Sequence, residues 1–167
     1  MKNKTMFPMF LTFIVLFVLS CTTRIKTASF TATLDGQNEV PPVMSEASGT
    51  ADFWLSEDSM SMKYKITVHK LQDVTMAHLH LGVKGQNGDH IAWLYPPQPP
   101  EKEKPGITNG TLAEGTLKAT DLIDKMQGKS IKDLIWKINE DSIYVNVHTV
   151  QHPDGEIRGI VVKSEGM

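Results

Sequence analysis

Apolar and polar side chains alternate along much of the chain, and each alternating run predicts a strand with one face toward a core. Phe30 to Leu34 is the first such run. Thr50 to Leu55 places Ala51, Phe53 and Leu55 on one side, and Met62, Tyr64, Ile66 and Val68 then alternate with Ser61, Lys63, Lys65 and Thr67. The turn formers Glu57-Asp58-Ser59 between these two runs predict an antiparallel hairpin. Thr75 to Leu81 sets Ala77, Leu79 and Leu81 against Met76, His78 and His80. His90 to Tyr95 and Thr108 to Leu117 supply further strands, the second with bend sites at Gly110 and Gly115. Near the C-terminus Ile143, Val145 and Val147 alternate with Tyr144, Asn146 and His148, a strand with one apolar and one hydrogen-bonding face. Gln151 to Gly155 collects turn formers and Glu156 to Val162 resumes a β-branched run, so residues 143–162 predict a hairpin.

The period changes twice between residues 119 and 139. Thr120 as a cap, Leu122, Ile123 and Met126 as apolar residues and Gly128 as a stop predict one short helix. Ser130 and Asp133 have capping-box spacing, and Ile131, Leu134, Ile135 and Ile138 recur as a helical stripe, which predicts a second. Pro41-Pro42 fix an extended segment after Asp35-Gly36, and Gly82 to Asp89 is a glycine-rich loop. Pro96 to Gly106 holds five of the nine prolines and four charges, a composition that predicts a solvated excursion. About eight short strands, few helices and no alternation of strand with helix predict an all-β, antiparallel sandwich or flattened barrel, with two short helices before the C-terminal hairpin.

The first residues break this pattern. Of 167 residues, 1–20 carry Lys2 and Lys4 and then an apolar run from Phe7 to Leu19. That run is shorter than the roughly 20 residues that cross a bilayer, so it fits the apolar region of a signal peptide. Val18-Leu19-Ser20-Cys21 resembles the lipobox of bacterial lipoproteins. The resemblance implies cleavage before Cys21, a lipid on its sulfur, a tether over 21–28 and a domain over 29–163, exported and lipid-anchored to the cell envelope membrane. An uncleaved anchor with an incidental cysteine is the other reading. Cys21 is the only cysteine, which excludes an intramolecular disulfide. Removing Lys2 and Lys4 from the 17 basic residues leaves 15 against 19 acidic, a balance of −4 without a basic cluster, and nucleic acid is set aside as a partner.

Candidate chemistry gathers on the polar faces. His78 and His80 point the same way from one strand, roughly 6.5–7 Å apart, and His148 is a third ligand if its strand is a neighbour. Imidazoles so placed can converge on copper or zinc, with Asn146 or Glu156 supporting the ligands from behind. They lie on the outer face, where the loops 35–48 and 82–106 can cover them. Hydrogen-bonded histidines without a metal are the competing reading. His69 and His152 fall at solvated positions, and His90 is open to either role. Glu156 and Arg158 share a strand face, which suits a carboxylate–guanidinium contact or an arginine tethering a loop, with Glu39 as a partner or a binding residue. No nucleophile triad, phosphate-cradling loop or catalytic carboxylate pair stands in a recognisable frame, which leans away from an enzyme.

Leu34-Asp35-Gly36-Gln37-Asn38-Glu39-Val40-Pro41-Pro42, Ala77-His78-Leu79-His80-Leu81-Gly82, Gly85-Gln86-Asn87-Gly88 and Tyr144-Val145-Asn146-Val147-His148-Thr149 through Gly155-Glu156-Ile157-Arg158-Gly159 together resemble the CHRD domain, the module first described in chordin. The resemblance runs from about Phe30 to Val162. It implies a Greek-key β-sandwich similar to the Cu,Zn superoxide dismutase barrel, whose metal histidines also lie outside the barrel under loops. It does not imply dismutase activity, which there needs two metals, a bridging histidine, an aspartate and a loop disulfide. Two functions stand side by side: a lipid-anchored binding or scaffold module meeting a protein or another extracytoplasmic ligand, and a copper- or zinc-binding protein with a redox-protective role.

Overall fold

A computed structural model describes residues 29–100 and 102–165. The expected signal peptide, the lipidation residue Cys21 and the tether lie outside the described residues. The elements in order are β1 (Phe30–Asp35), β2 (Ser48–Leu55), β3 (Ser61–Leu81), β4 (His90–Tyr95), β5 (Lys104–Lys118), α1 (Ile131–Asn139), β6 (Ile143–Thr149), β7 (Ile157–Ile160) and β8 (Val162–Lys163). All strand pairings are antiparallel, and the all-β expectation holds.

Closure depends on β3. Its first half pairs with β2, from Leu55↔Met62 to Ser48↔His69, and its second half pairs with β6, from Val74↔Thr149 to Leu81↔Ile143. Because β2 also pairs with β1, β1 with β7 and β7 with β6, the ladder returns on itself as a barrel-like sheet. β5 lies along β3 and β4 pairs with the second half of β3. The predicted alternation is what fills the interior. Ala32, Leu34, Ala51, Ile66, Val68, Leu79, Val145 and Val147 are all buried, and they come from opposite walls of the ring.

The sequence reads residues 61–81 as two strands, whereas the chain is hydrogen-bonded as one. Alternation is lost because β3 is irregular between Val68 and Leu71 and again between Gln72 and Val74, with Lys70 (φ 53°) and Asp73 (φ 48°) in left-handed conformations. These kinks turn the strand from one wall of the barrel to the other. The proline-rich excursion is also shorter than expected. Lys104-Pro105-Gly106 open β5, and Lys104 pairs opposite Val74. Gly110 (φ 99°) and Gly115 sit where bends were expected, and Gly115 makes room for the Tyr64 ring, whose hydroxyl donates to the Leu94 carbonyl at 2.8 Å.

Of the two predicted helices one forms. α1 starts with Ser130, whose hydroxyl accepts from the Asp133 N–H at 3.2 Å while the Asp133 carboxylate accepts from the Ser130 N–H at 2.7 Å, and it buries Ile131, Leu134 and Ile138. The other is replaced by two 3-10 turns, Ala119–Asp121 and Asp124–Met126, separated by extended Leu122 and Ile123. Asp121, not Thr120, caps the first by accepting from the Lys118 N–H at 2.8 Å. A stretch this short cannot sustain a helix by itself, and the Ile123 N–H is drawn to the Ile91 carbonyl at 2.9 Å instead.

Candidate metal centre

The register across β3 and β6 brings the separate histidine strands together. His78 stands opposite Asn146, His80 opposite Tyr144 and Met76 opposite His148, so His148 is diagonal to His78. Their neighbours Ala77, Leu79, Val145 and Val147 face the core, which obliges the imidazoles to point out of the barrel. The outer face is nonetheless dry. His78, His80 and His148 retain only 4%, 9% and 6% of their accessible surface, and every residue of β6 is buried, which replaces the one-sided strand of the sequence reading. Three loops do the covering. Of the loops expected over 35–48 and 82–106, the segments 36–47 and 82–89 contribute Glu39, Gln86, Asn87 and Gly88, residues 90–95 being strand β4, and the hairpin turn 150–155 adds the Pro153 carbonyl.

Two of these loops fix the protons. The Nδ1 of His80 lies 2.9 Å from the Gly88 carbonyl and the Nδ1 of His148 lies 2.9 Å from the Pro153 carbonyl. A carbonyl only accepts, so each Nδ1 carries the hydrogen and each Nε2 presents a lone pair. Gly88 can approach only because it lacks a side chain: a Cβ there would run into the Leu81 carbonyl. The Nε2 atoms of His78, His80 and His148 are buried without a hydrogen-bond partner. One nitrogen from each ring lies within 4.8 Å of the other two.

Electrostatics favour the neutral rings. Burial, reinforced by mutual repulsion with His148, His80 and His90, lowers His78 from 6.5 to about 3. Burial lowers His80 to about 4 against the opposing Gly88 hydrogen bond. His148 is lowered for the same reason, opposed by its bond to Pro153. Unprotonated acceptors with nothing to accept are what a cation needs, and three imidazoles without a carboxylate suit copper or zinc better than magnesium or calcium. Metal–nitrogen bonds near 2.0–2.1 Å place ligand nitrogens about 3.4 Å apart. For one ion to bond all three rings, a separation of 4.8 Å would have to close by about 1.4 Å.

Aromatic groups and a buried ion pair brace the three histidines. Tyr144 stacks on His80 with ring centres 4.8 Å apart, and its hydroxyl accepts from the Gly88 N–H at 3.1 Å. Trp93 meets His78 edge-on at 4.3 Å. The Arg158 guanidinium lies over the Tyr144 ring, 4.6 Å from its centre, and its Nε donates to Glu39 Oε2 at 2.6 Å. Its terminal nitrogens donate to the Gln86 carbonyl at 3.4 Å and to Asn87 Oδ1 at 2.7 Å, so one side chain ties two covering loops together. Glu156 does not pair with Arg158. It accepts from Ser45 at 2.6 Å and Thr149 at 2.7 Å and holds a separate part of the cover. Burial pushes the Glu39 carboxyl up, against the pull of Arg158. Asn146 is buried with Oδ1 unpartnered and Nδ2 3.5 Å from the Asp154 carbonyl.

His69 is exposed, as its position predicts, whereas His152, expected to be solvated, is half-buried. His90 is exposed, yet its ring lies 4.9 Å from that of His78. Tyr144 and Arg158, but none of the three buried histidines, also line a cleft of about 610 Å³ together with Val40, Pro42, Val83 and Ile160. The backbone carbonyls of Gly88 and Pro153 were beyond sequence reasoning, since a carbonyl leaves no side-chain signature. Trp93 carried a signal in its place opposite His78.

Comparison with curated proteins and with solved structures returned no match. The family model of the CHRD domain matches residues 30–161. That span takes in β1 through β7, all three buried histidines and the Glu39–Arg158 pair, and the chain belongs to the CHRD-domain family.

Proposed function

We propose that this domain binds one copper or zinc ion through the Nε2 atoms of His78, His80 and His148. The observation that carries the reading is that three rings, each with a buried and unpartnered Nε2, bring one nitrogen apiece within 4.8 Å of the others. An unsatisfied buried polar atom costs about 1–3 kcal/mol, so three together are hard to explain as hydrogen-bonded structural histidines. Calorimetric titration of the purified protein with Cu(II) and Zn(II) is expected to give one ion per chain, and the His78→Ala, His80→Ala double variant to give none. Equal binding by the variant excludes this site. A superoxide assay on the loaded protein separates a carrier from a catalyst, and a site with three ligands and no second metal is expected to turn over little.

The setting of that function is a lipid-anchored, extracytoplasmic module of the cell envelope, a reading supported by the lipobox-like residues 18–21. The Cys21→Ser variant is expected to release a folded protein into the soluble fraction, and retention at the membrane would remove the anchor from the proposal. The cleft of about 610 Å³ beside Arg158 favours a second role as a binding module, because its lining of Val40, Pro42, Val83 and Ile160 offers apolar contact area next to polar Gln37 and Lys84.

A further inference from the structure

The three buried imidazoles come from β3 and β6 and approach the proposed ion from the barrel side. A divalent ion with three nitrogen ligands has at least one position left, and Cu(II) and Zn(II) prefer four or more donors. What faces that position is decided by β4. In its ladder with β3, His90 is opposite His80 and Trp93 opposite His78, with a register shift between Leu79 and His80. The shift lets the His90 ring lean toward His78, at 4.9 Å, rather than sit over its direct partner His80, at 6.2 Å. Trp93 fills the space beyond, 4.3 Å from His78 and 6.0 Å from His90. His90 is exposed where the other three are buried, which puts it at the solvent side of the cluster. The neighbouring carboxylate that could compete, Asp89, is engaged by Lys125 at 2.5 Å.

We propose that His90 is the fourth ligand of the ion, supplied from the solvent side by the first residue of β4. This rests on the reading that His78, His80 and His148 hold the metal. His90 closes the coordination after the ion has entered and is the ligand whose release opens it again. Cu(I), which is content with three imidazoles in a plane, needs His90 less than Cu(II) does.

The test uses the full chain, loaded with one equivalent of Cu(II), as wild type, His90→Ala and His78→Ala. Electron paramagnetic resonance of the wild type is expected to show coupling to four nitrogens and His90→Ala to three. Chelator competition is expected to show a Cu(II) affinity for His90→Ala at least roughly tenfold below wild type, the loss that even removal of outer-sphere support reaches, with a smaller change for Cu(I). An unchanged spectrum and affinity in His90→Ala, with the wild type loaded and His78→Ala empty, overturns the role of His90 and leaves the three-histidine site standing. A wild type that takes up no copper overturns the site itself.

Discussion

Arg158 concentrates more of the site's order than any of the three histidines does, because its guanidinium joins the loop carrying Glu39 to the loop carrying Gly88, and Gly88 orients His80. Its ion pair with Glu39 is buried, with 7% and 3% of the two side chains accessible. A buried pair gives little net stability, whereas removing one member strands the other's charge and costs about 3–5 kcal/mol. Arg158→Met is therefore expected to destabilise the protein by about that amount in urea unfolding. The Glu39→Leu, Arg158→Met double variant is expected to recover a large part of it, and a double variant as unstable as the sum of the singles would show that the pair is not coupled. At this scale the sequence was informative wherever side-chain direction sufficed. His78, His80 and His148 follow from alternation alone, and so does the outward aim of Arg158. The hydrogen bonds from Gly88 and Pro153 depend on how two loops fold back over the sheet, and no residue in either loop announces that. The pairing of Arg158 with Glu39 rather than Glu156 is likewise a matter of where the loop after β1 lands.

Among the elements, β7 is the short piece that carries the hydrogen-bonded ladder from β1 to β6. It crosses β1 so closely that a Cβ on Gly159 would run into the Thr33 carbonyl oxygen, with Leu34 Cδ2 3.2 Å away. Backbone cannot swing aside as the tip of a side chain can, so Gly159→Ala must part the two strands. Overpacking of this kind costs about 1–3 kcal/mol, and amide hydrogen exchange is expected to report it first in β1 and β7, with β3 and β5 protected as before. Uniform loss of protection across the sheet would mean that the seam is not an independent weak point. β7 was legible as a strand, yet its tight crossing was not, because a glycine in a strand has the same spelling whether it meets backbone or water. The helix α1 was legible for the opposite reason: its cap and its stripe lie together between Ser130 and Ile138. The 3-10 turns before it were misread because three apolar residues in a short window fit a helix as well as they fit two exposed turns that bury only Leu122 and Met126. The long β3 was split in the sequence reading because its kinks at Lys70 and Asp73 hide a continuity that β5, pairing from Ser61 past the kinks to Val74, makes visible.

For the whole molecule, the barrel's closure and its covering loops have one shared consequence: they keep three imidazoles out of water. In the unfolded chain each would take up a proton near 6.5, whereas in the fold His78 resists until about 3 and His80 until about 4, with His148 lowered as well. A lowered histidine pKa means that the unfolded state binds more protons than the native state below pH 6.5, so metal-free stability is fully present above that pH and is lost as the pH falls toward 4. Each site contributes a slope of up to about 1.4 kcal/mol per pH unit in that window. Glu39, whose carboxyl is raised, works the other way below its own elevated pKa, but it is one group against three. Thermal melts of the metal-free protein are therefore expected to fall steadily between pH 6.5 and 4, well before the exposed carboxylates Glu46, Asp58, Asp89 and Asp133, all held low, begin to protonate. Replacing His78, His80 and His148 together with glutamine, which keeps a polar group of similar size but does not titrate, is expected to flatten that slope. A melt as steep in the triple variant as in the wild type would place the acid sensitivity elsewhere and show that the imidazoles are reached by water, against the dry cluster that their burial describes.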